Sequence, residues 1–376
     1  MRMLRVHRSA KPLAVGIALL LLPAARMFAA TFIAGDLVVE QIGDGSAALS
    51  SAATAVFLRE YTTAGVLAQP AIALPATGTD AITDSGSATS VGLMNRSADG
   101  KYLSIPGYNA AAGTAAVTGT ASSSTNREAV TLDSTATIVS TIKNNANWNT
   151  NNYRSVITSN GTDFWGSGAG STNTGGIRYF TTNGSATLIS SATNTRQVEI
   201  FGGNLLFSTG SGTTGIYSFS GLPSSAQAET LLVAVSSPYD FSLSPDGLTL
   251  YVADDTASAA GGILKFIRAS TATAFSTATY TLGTGAANIG ARGLVVDWSG
   301  ASPILYATTA EAASNRLISI VDTGASSSAT TLATAGTNTI FRGVDFAPQP
   351  VPEPSTAISL LGGIGVLMVV RRYRAR

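Results

Sequence analysis

The chain has 376 residues, room for one large domain or two ordinary ones, and only 11% are charged against roughly 25% in a typical soluble domain. Ser, Thr, Asn, Gly and Ala stand in place of charge, which favours strands and turns over helices rich in Glu, Lys and Leu. Of 22 basic residues, five lie in the first 30 and four in the last six, leaving 13 over residues 31–350 against 20 acidic ones. A mildly acidic body without a basic run argues against nucleic acid as a partner.

There is no cysteine, and the single histidine is His7. Ser-His-Asp and Cys-His nucleophile systems, histidine-dependent lactonase mechanisms, and zinc sites built on imidazole or thiolate are therefore excluded for the body. No disulfide can staple it, so stability must come from a large apolar core. Carboxylate chemistry and calcium bound through oxygen ligands remain open.

In chain order, residues 1–30 read as a secretory signal peptide. Arg2, Arg5, Arg8 and Lys11 precede an apolar run over 13–22, then Pro23 and small residues up to Ala30. The run is too short for a lasting membrane span. The Sec export machinery is the partner that such a leader implies.

Residues 31–350 show short alternating or β-branched runs separated by Gly, Asn, Asp and Ser clusters, which predicts many strands. The first are expected over 36–42, 55–62 and 66–74. A repeating unit then follows: strand, tight turn, strand, polar loop, strand. A weak copy starts near Gly92 and turns at Asp99-Gly100. Stronger copies start at Arg154, Arg196, Tyr239 and Arg292, with turns at Asn160-Gly161, Gly202-Gly203, Asp246-Gly247 and Ser299-Gly300. A last anchor, Arg342-Gly343-Val344-Asp345-Phe346, has no room for a following unit.

The anchors 154, 196, 239, 292 and 342 lie 42, 43, 53 and 50 residues apart, close to the about 40–50 residues of a four-stranded propeller blade. The expectation is an all-β propeller of six blades, closed where the final strand joins the first strands of the body. A seventh blade is the alternative if 105–150 conceals one. A β-sandwich or β-helix of Ser/Thr-rich repeats is the competing architecture. The segment Ser244-Pro245-Asp246-Gly247-Leu248-Thr249-Leu250-Tyr251-Val252-Ala253 resembles the blade motif of lactonase-like bacterial β-propellers. Ser97-Ala98-Asp99-Gly100-Lys101-Tyr102-Leu103 is its fainter copy. That resemblance concerns architecture and does not decide activity.

Arg154, Arg196, Arg292 and Arg342 open their units. In a closed ring they would gather at one end, where guanidinium groups suit an anionic sugar or carboxylate. Alternatively, each pairs with an aspartate of the neighbouring blade. Asp254 and Asp255 are candidate calcium ligands or, more simply, a polar turn. Asp240, Asp297 and Asp345 recur at roughly equivalent places and either line a channel or accept turn hydrogen bonds. Trp148, Trp165 and Trp298, with Tyr102, Tyr153 and Tyr179, either stack on sugar rings or pack in the core.

The last 26 residues form a third segment, 351–376. Val351-Pro352-Glu353-Pro354-Ser355-Thr356 is an extended, proline-stiffened motif. An apolar run over 357–370 follows, then Arg371, Arg372, Arg374 and Arg376 as a cationic stop. At about 1.5 Å per residue, a helix over that run reaches only some 21 Å, suited to a transient anchor. These residues resemble the PEP-CTERM sorting signal. The resemblance implies recognition by an exosortase, removal of the tail, and delivery from the inner membrane to the cell surface or extracellular matrix of a Gram-negative bacterium. A simple C-terminal membrane anchor is the alternative.

The functional expectation is an exported surface or matrix protein. Its body would be a non-catalytic module, without a cofactor, that binds exopolysaccharide or envelope partners. An extracellular calcium- or carboxylate-dependent propeller hydrolase or lactonase is the other reading.

Overall fold

The computed structural model describes residues 31–350. The expected leader and sorting tail lie outside them. Among the described residues no helix is long and apolar enough to cross a membrane, and a 3-10 turn at Val117–Gly119 stands among strands.

The body opens with β1 (Leu37–Ile42), β2 (Ala53–Tyr61), β3 (Ile72–Ala73), β4 (Thr83–Ser85), β5 (Asn95–Arg96), β6 (Leu103–Tyr108), β7 (Arg127–Leu132) and β8 (Ile138–Asn144). Four antiparallel four-stranded sheets follow. The first contains β9 (Tyr153–Thr158), β10 (Asp163–Gly168), β11 (Ile177–Thr181) and β12 (Ala186–Ser190). The next holds β13 (Thr195–Phe201), β14 (Asn204–Thr209), β15 (Gly215–Ser218) and β16 (Thr230–Ala234). Then come β17 (Pro238–Leu243), β18 (Thr249–Asp254), β19 (Gly262–Ile267) and β20 (Tyr280–Leu282). The last has β21 (Ala291–Asp297), β22 (Ile304–Thr309), β23 (Arg316–Val321) and β24 (Ala329–Thr334).

The final strand, β25 (Ile340–Phe346), returns to the start of the body. It pairs antiparallel with β1, placing Phe346 opposite Leu37 and Ile340 opposite Ile42. Beside this pair the Ala347 N–H donates to the Asp36 carbonyl at 2.8 Å, and the Gln349 N–H to the Gly100 carbonyl at 2.7 Å. The resulting nine-stranded sheet runs β25-β1-β2-β4-β6-β7-β8, with β3 on β2 and β5 on β6. Joining the two ends of the body removes free edges that would otherwise recruit other strands.

The two sequence copies of the turn motif fold alike. Ser244 Oγ donates to Asp246 (2.6 Å) and accepts the Thr249 N–H (2.8 Å). Ser97 Oγ donates to Asp99 (2.6 Å) and accepts the Tyr102 N–H (3.0 Å). Gly247 and Gly100 follow with φ of 72° and 75°, a left-handed conformation that glycine adopts without Cβ strain. The weak copy is therefore the same device with different decoration.

The strand expected over 66–74 is mostly absent. Only a Tyr61–Leu67 bridge and the two-residue β3 form there, because Pro70 has no N–H to offer a ladder. The stretch 105–150 is occupied by the end of β6, the 3-10 turn, β7 and β8, and the three strands belong to the sheet that contains β5.

Strands β5, β9, β13, β17, β21 and β25 touch one another in succession, and β25 touches β5. They form a ring from which the other strands step outward. Apolar side chains collect at the seams between neighbouring sheets, not in one central core. Tyr108 and Ile142 meet Val156 and Phe164 at one seam. Ile157 and Trp165 meet Val198 and Phe207 at the next, and Tyr251 and Ile263 meet Leu294 and Leu305 further round. Leu37 and Val39 meet Tyr306 and Leu317 where the ring closes.

A polar clasp spans one seam. Asp322 accepts hydrogen bonds from Lys265 Nζ (2.7 Å), Tyr280 OH (2.6 Å) and Tyr251 OH. Burial alone would raise its carboxyl pKa, yet these donors hold it below the usual range.

Candidate functional site

The inner strands all begin at one end of the ring and finish at the other, and the two ends differ in chemistry. Aligning the units on their turns puts Arg154, Arg196, Tyr239, Arg292 and Arg342 at one level, one residue into their strands or two for β25. The sixth place at that level is Gly92.

Arg196 and Arg292 lie over the Tyr239 ring, and Arg154 and Arg342 are in electrostatic reach of it. The Arg196 guanidinium lies 4.1 Å from the Tyr239 ring centre and that of Arg292 lies 5.5 Å away, within cation–π range. Arg154 is buried and donates to Asn194 Oδ1 (2.5 Å) and the Thr195 carbonyl (3.1 Å). Arg196 reaches Ser237 Oγ (3.0 Å) and the Pro238 carbonyl (2.9 Å). Each thus crosses to the start of the next sheet and holds the seam. Arg342, also buried, makes only a long 3.4 Å bond to the Gly86 carbonyl.

Among the described residues, Arg292 alone of the four forms a salt bridge, to Asp255 at 3.1 Å. The Nε atoms of Arg154, Arg196 and Arg342 are buried and have no partner among the described residues.

Positive charge is crowded here. Burial and the nearby Arg196 bring the Arg154 pKa down to about 10. Burial and the nearby Arg292 do the same to Arg342. Both stay charged at neutral pH. Two carboxyls from outside the arginine set, Glu40 and Asp84, act electrostatically on Arg342 without pairing with it among the described residues. Glu40 of β1 is held protonated far above its usual range by burial and by Asp84. Burial raises Asp84 of β4 to about 8 even though the Ser85 N–H and Arg342 oppose it. Gly92 makes this packing possible, since a Cβ there would come within 2.6 Å of Glu40 Oε1.

The opposite end holds a cavity of about 220 Å³ inside the ring, where Arg96, Glu199, Asp345 and Ser242 line one part of the wall and Phe241 and Leu294 another. Asp240 stands beside these acids. Its oxygens accept the Phe241 N–H and the Leu294 N–H, both at 2.8 Å. Asp345 accepts the Arg96 N–H (2.5 Å) and the Phe346 N–H (2.6 Å). Glu199 meets only the Gln197 amide, at 3.5 Å. Burial, then the charges of Asp240 and Asp345, drives Glu199 well above the usual carboxylate range. Burial raises Asp240 and Asp345 as well. The charge of Asp345 adds to burial in raising both Glu199 and Asp240.

The other sequence candidates fall elsewhere. Asp254 accepts the Ser237 N–H (2.9 Å) and the Thr256 N–H (2.8 Å). Asp255 accepts from Ser237 Oγ (2.7 Å) and Arg292. Among the described residues no group of three acidic, histidine or cysteine side chains is placed to hold a metal ion. Asp297 is not equivalent to Asp240 or Asp345. It lies five residues after its anchor and accepts the Ser299 N–H (2.9 Å) in a turn, whereas the other two follow theirs by one and three. Trp148 and Trp165 are buried in seams, and Trp298 packs on Tyr251 at 5.4 Å.

Sequence reading missed Glu40, Asp84, Arg96 and Glu199. The last two could have been found by counting from the turns, which puts Glu199 three residues after Arg196, as Asp345 lies after Arg342.

Sheet order and ring closure define an all-β protein of propeller type. No family model matches the chain, and no curated protein does. Among solved structures it is similar to a gluconolactonase from Xanthomonas campestris, with 13% identity over 82% of this chain and 90% of that one and a TM-score of 0.45. It is also similar to the periplasmic gluconolactonase of Pseudomonas aeruginosa, with 12% identity over 80% and 83% and a TM-score of 0.43. The β-propeller domain of the trilobed protease from Pyrococcus furiosus shows 11% identity over 81% and 84%, with a TM-score of 0.39. None of these likenesses is close enough to transfer an activity to this chain.

Proposed function

We propose that the chain is an exported envelope or matrix protein whose body binds an anionic polysaccharide at the arginine end of the ring. The body is read as six blades, with the nine-stranded sheet counted as two that β4 joins. The observation that carries the binding reading is the placing of Arg196 and Arg292 over the Tyr239 ring, with Arg154 and Arg342 in electrostatic reach of it and, among the described residues, a single carboxylate, Asp255, paired with the four.

Three guanidinium groups retain an unpartnered Nε among the described residues, and burial raises the two carboxyls near Arg342 above the usual carboxylate range. The end therefore carries excess positive charge that a carboxylate-bearing sugar would neutralise, through charge-assisted hydrogen bonds of the kind guanidinium makes best. Tyr239 offers a ring beside them. The tail resembling a PEP-CTERM signal supports placement outside the cytoplasm after processing by an exosortase.

Isothermal titration of the full-length chain in detergent with polygalacturonate, and with neutral dextran as control, tests the reading. Binding of the polyuronate alone, weakening as salt rises, is expected. Equal binding of dextran, or none of polygalacturonate, refutes it. Mass spectrometry of the exported protein tests the sorting half. A mature C-terminus still ending at Arg376 would rule out processing.

A further inference from the structure

We propose that the cavity at the far end of the ring is a second binding site, one for a neutral hydroxyl-rich ring such as a sugar or polyol. It is independent of the anionic-polysaccharide reading, since it shares no residue with the arginine end.

The cavity's wall carries more hydrogen-bonding capacity than the protein uses. The Arg96 guanidinium donates no hydrogen bond among the described residues and only lies 5.8 Å from the Phe346 ring centre. Ser242 Oγ accepts from Trp298 Nε1 at 3.2 Å, which leaves its own O–H to donate. Glu199 lines the space with one long contact at 3.5 Å. Carrying its proton, it offers both a donor and an acceptor. Phe241, Leu206 and Leu294 form an apolar wall on which the C–H face of a ring could rest.

Charge selects the ligand class. Facing Glu199 are Asp240 on β17, Asp345 on β25 and Arg96 on β5. Strand β9 sends no residue to the cavity wall, and β21 sends Leu294 and Val295. An anion would meet the oxygens of Asp240 and Asp345, which already accept two N–H groups each and offer it no donor, and a cation would sit against Arg96. A neutral polyol meets neither penalty and can use donors and acceptors together.

The test is titration of the full-length chain in detergent with D-glucose, D-mannose, D-galactose and sorbitol, read by saturation-transfer NMR with melting temperature alongside. At least one ligand is expected to saturate. Arg96→Met and Glu199→Leu should each weaken it about tenfold or more, the scale of one lost hydrogen bond to a charged or buried group. Glu199→Gln keeps a donor and an acceptor and should stay within about threefold of the parent. Sugar affinity should be the same with and without saturating polygalacturonate, which separates this site from the arginine end. Saturation by none of the four, or an unaltered affinity in Glu199→Leu, overturns the proposal. So does a rise in melting temperature with calcium chloride or methylammonium but with no sugar, which would make the cavity a cation site.

Discussion

The two ends of the ring solve the same problem in opposite ways. At the arginine end the crowded groups cannot shed their charge, because guanidinium holds its proton at any physiological pH. Repulsion there is relieved by stacking on Tyr239, by bonds to the next sheet, and by Asp255. At the cavity end the crowded groups are carboxyls, and they relieve repulsion by keeping protons. One end is therefore a fixed field and the other a set of titrating donors. The difference teaches that like residues at one strand level need not make like sites. What decides is whether the side chain can discharge itself.

The sharpest way to break the comparison is to remove the fixed field. The double substitution Arg154→Met/Arg196→Met should lower affinity for a polyuronate by about a hundredfold, two charge-assisted contacts being lost. Calorimetry reads this directly, and an undiminished affinity would place the anion elsewhere.

Next in size is Gly92→Ala. A Cβ there meets Glu40 Oε1 at 2.6 Å and Arg342 Cβ at 3.0 Å, on a backbone with φ of 72°. A loss of about 2–3 kcal/mol in chemical denaturation is expected from strain and overpacking combined. A neutral result would mean that Glu40 and Arg342 are free to move.

The carboxyl end predicts a pH dependence of definite sign. Glu199 keeps its proton in the folded state above the pH at which the unfolded chain releases it. The folded state then binds more protons, so stability falls as pH rises from the ordinary carboxylate range towards the raised pKa. Glu199→Gln should flatten that fall, giving a larger gain in melting temperature at pH 8 than at pH 5. The Asp322 clasp behaves in the reverse sense. Its carboxyl is held below the usual range, so its contribution is present above the unfolded pKa and is lost on acidification. Asp322→Asn should thus cost stability at pH 7 and little at pH 3.

The smallest effect is expected from Asp255→Ala. Freeing Arg292 from its internal carboxylate should tighten polyuronate binding about threefold, a gain on the scale of a partly exposed ion pair.

Much of the frame was legible in the sequence. The Ser-x-Asp-Gly turns carry their own hydrogen-bond pattern in both copies, and the spacing of the anchors at 154, 196, 239, 292 and 342 set the period. The odd last anchor foretold the β25–β1 pairing. The arginine level followed from the same spacing.

Other features depended on contacts that spacing does not encode. Glu40 and Asp84 reach Arg342 from β1 and β4, strands outside the repeating unit. The aspartates were grouped by proximity to strands when the offset from the turn decides their level. That offset separates Asp297, in a turn, from Asp345, in the cavity. Burial of Trp148 and Trp165 depends on which faces the seams enclose.

The bond from Ala347 to Asp36, and that from Gln349 to Gly100, hold both extremities of the body on the side where the cavity opens. A chain tethered through whatever follows residue 350 would turn that opening towards its anchorage and its arginines outward. A long polymer approaching from the surroundings would reach the cationic side unobstructed, while only small molecules could slip beneath.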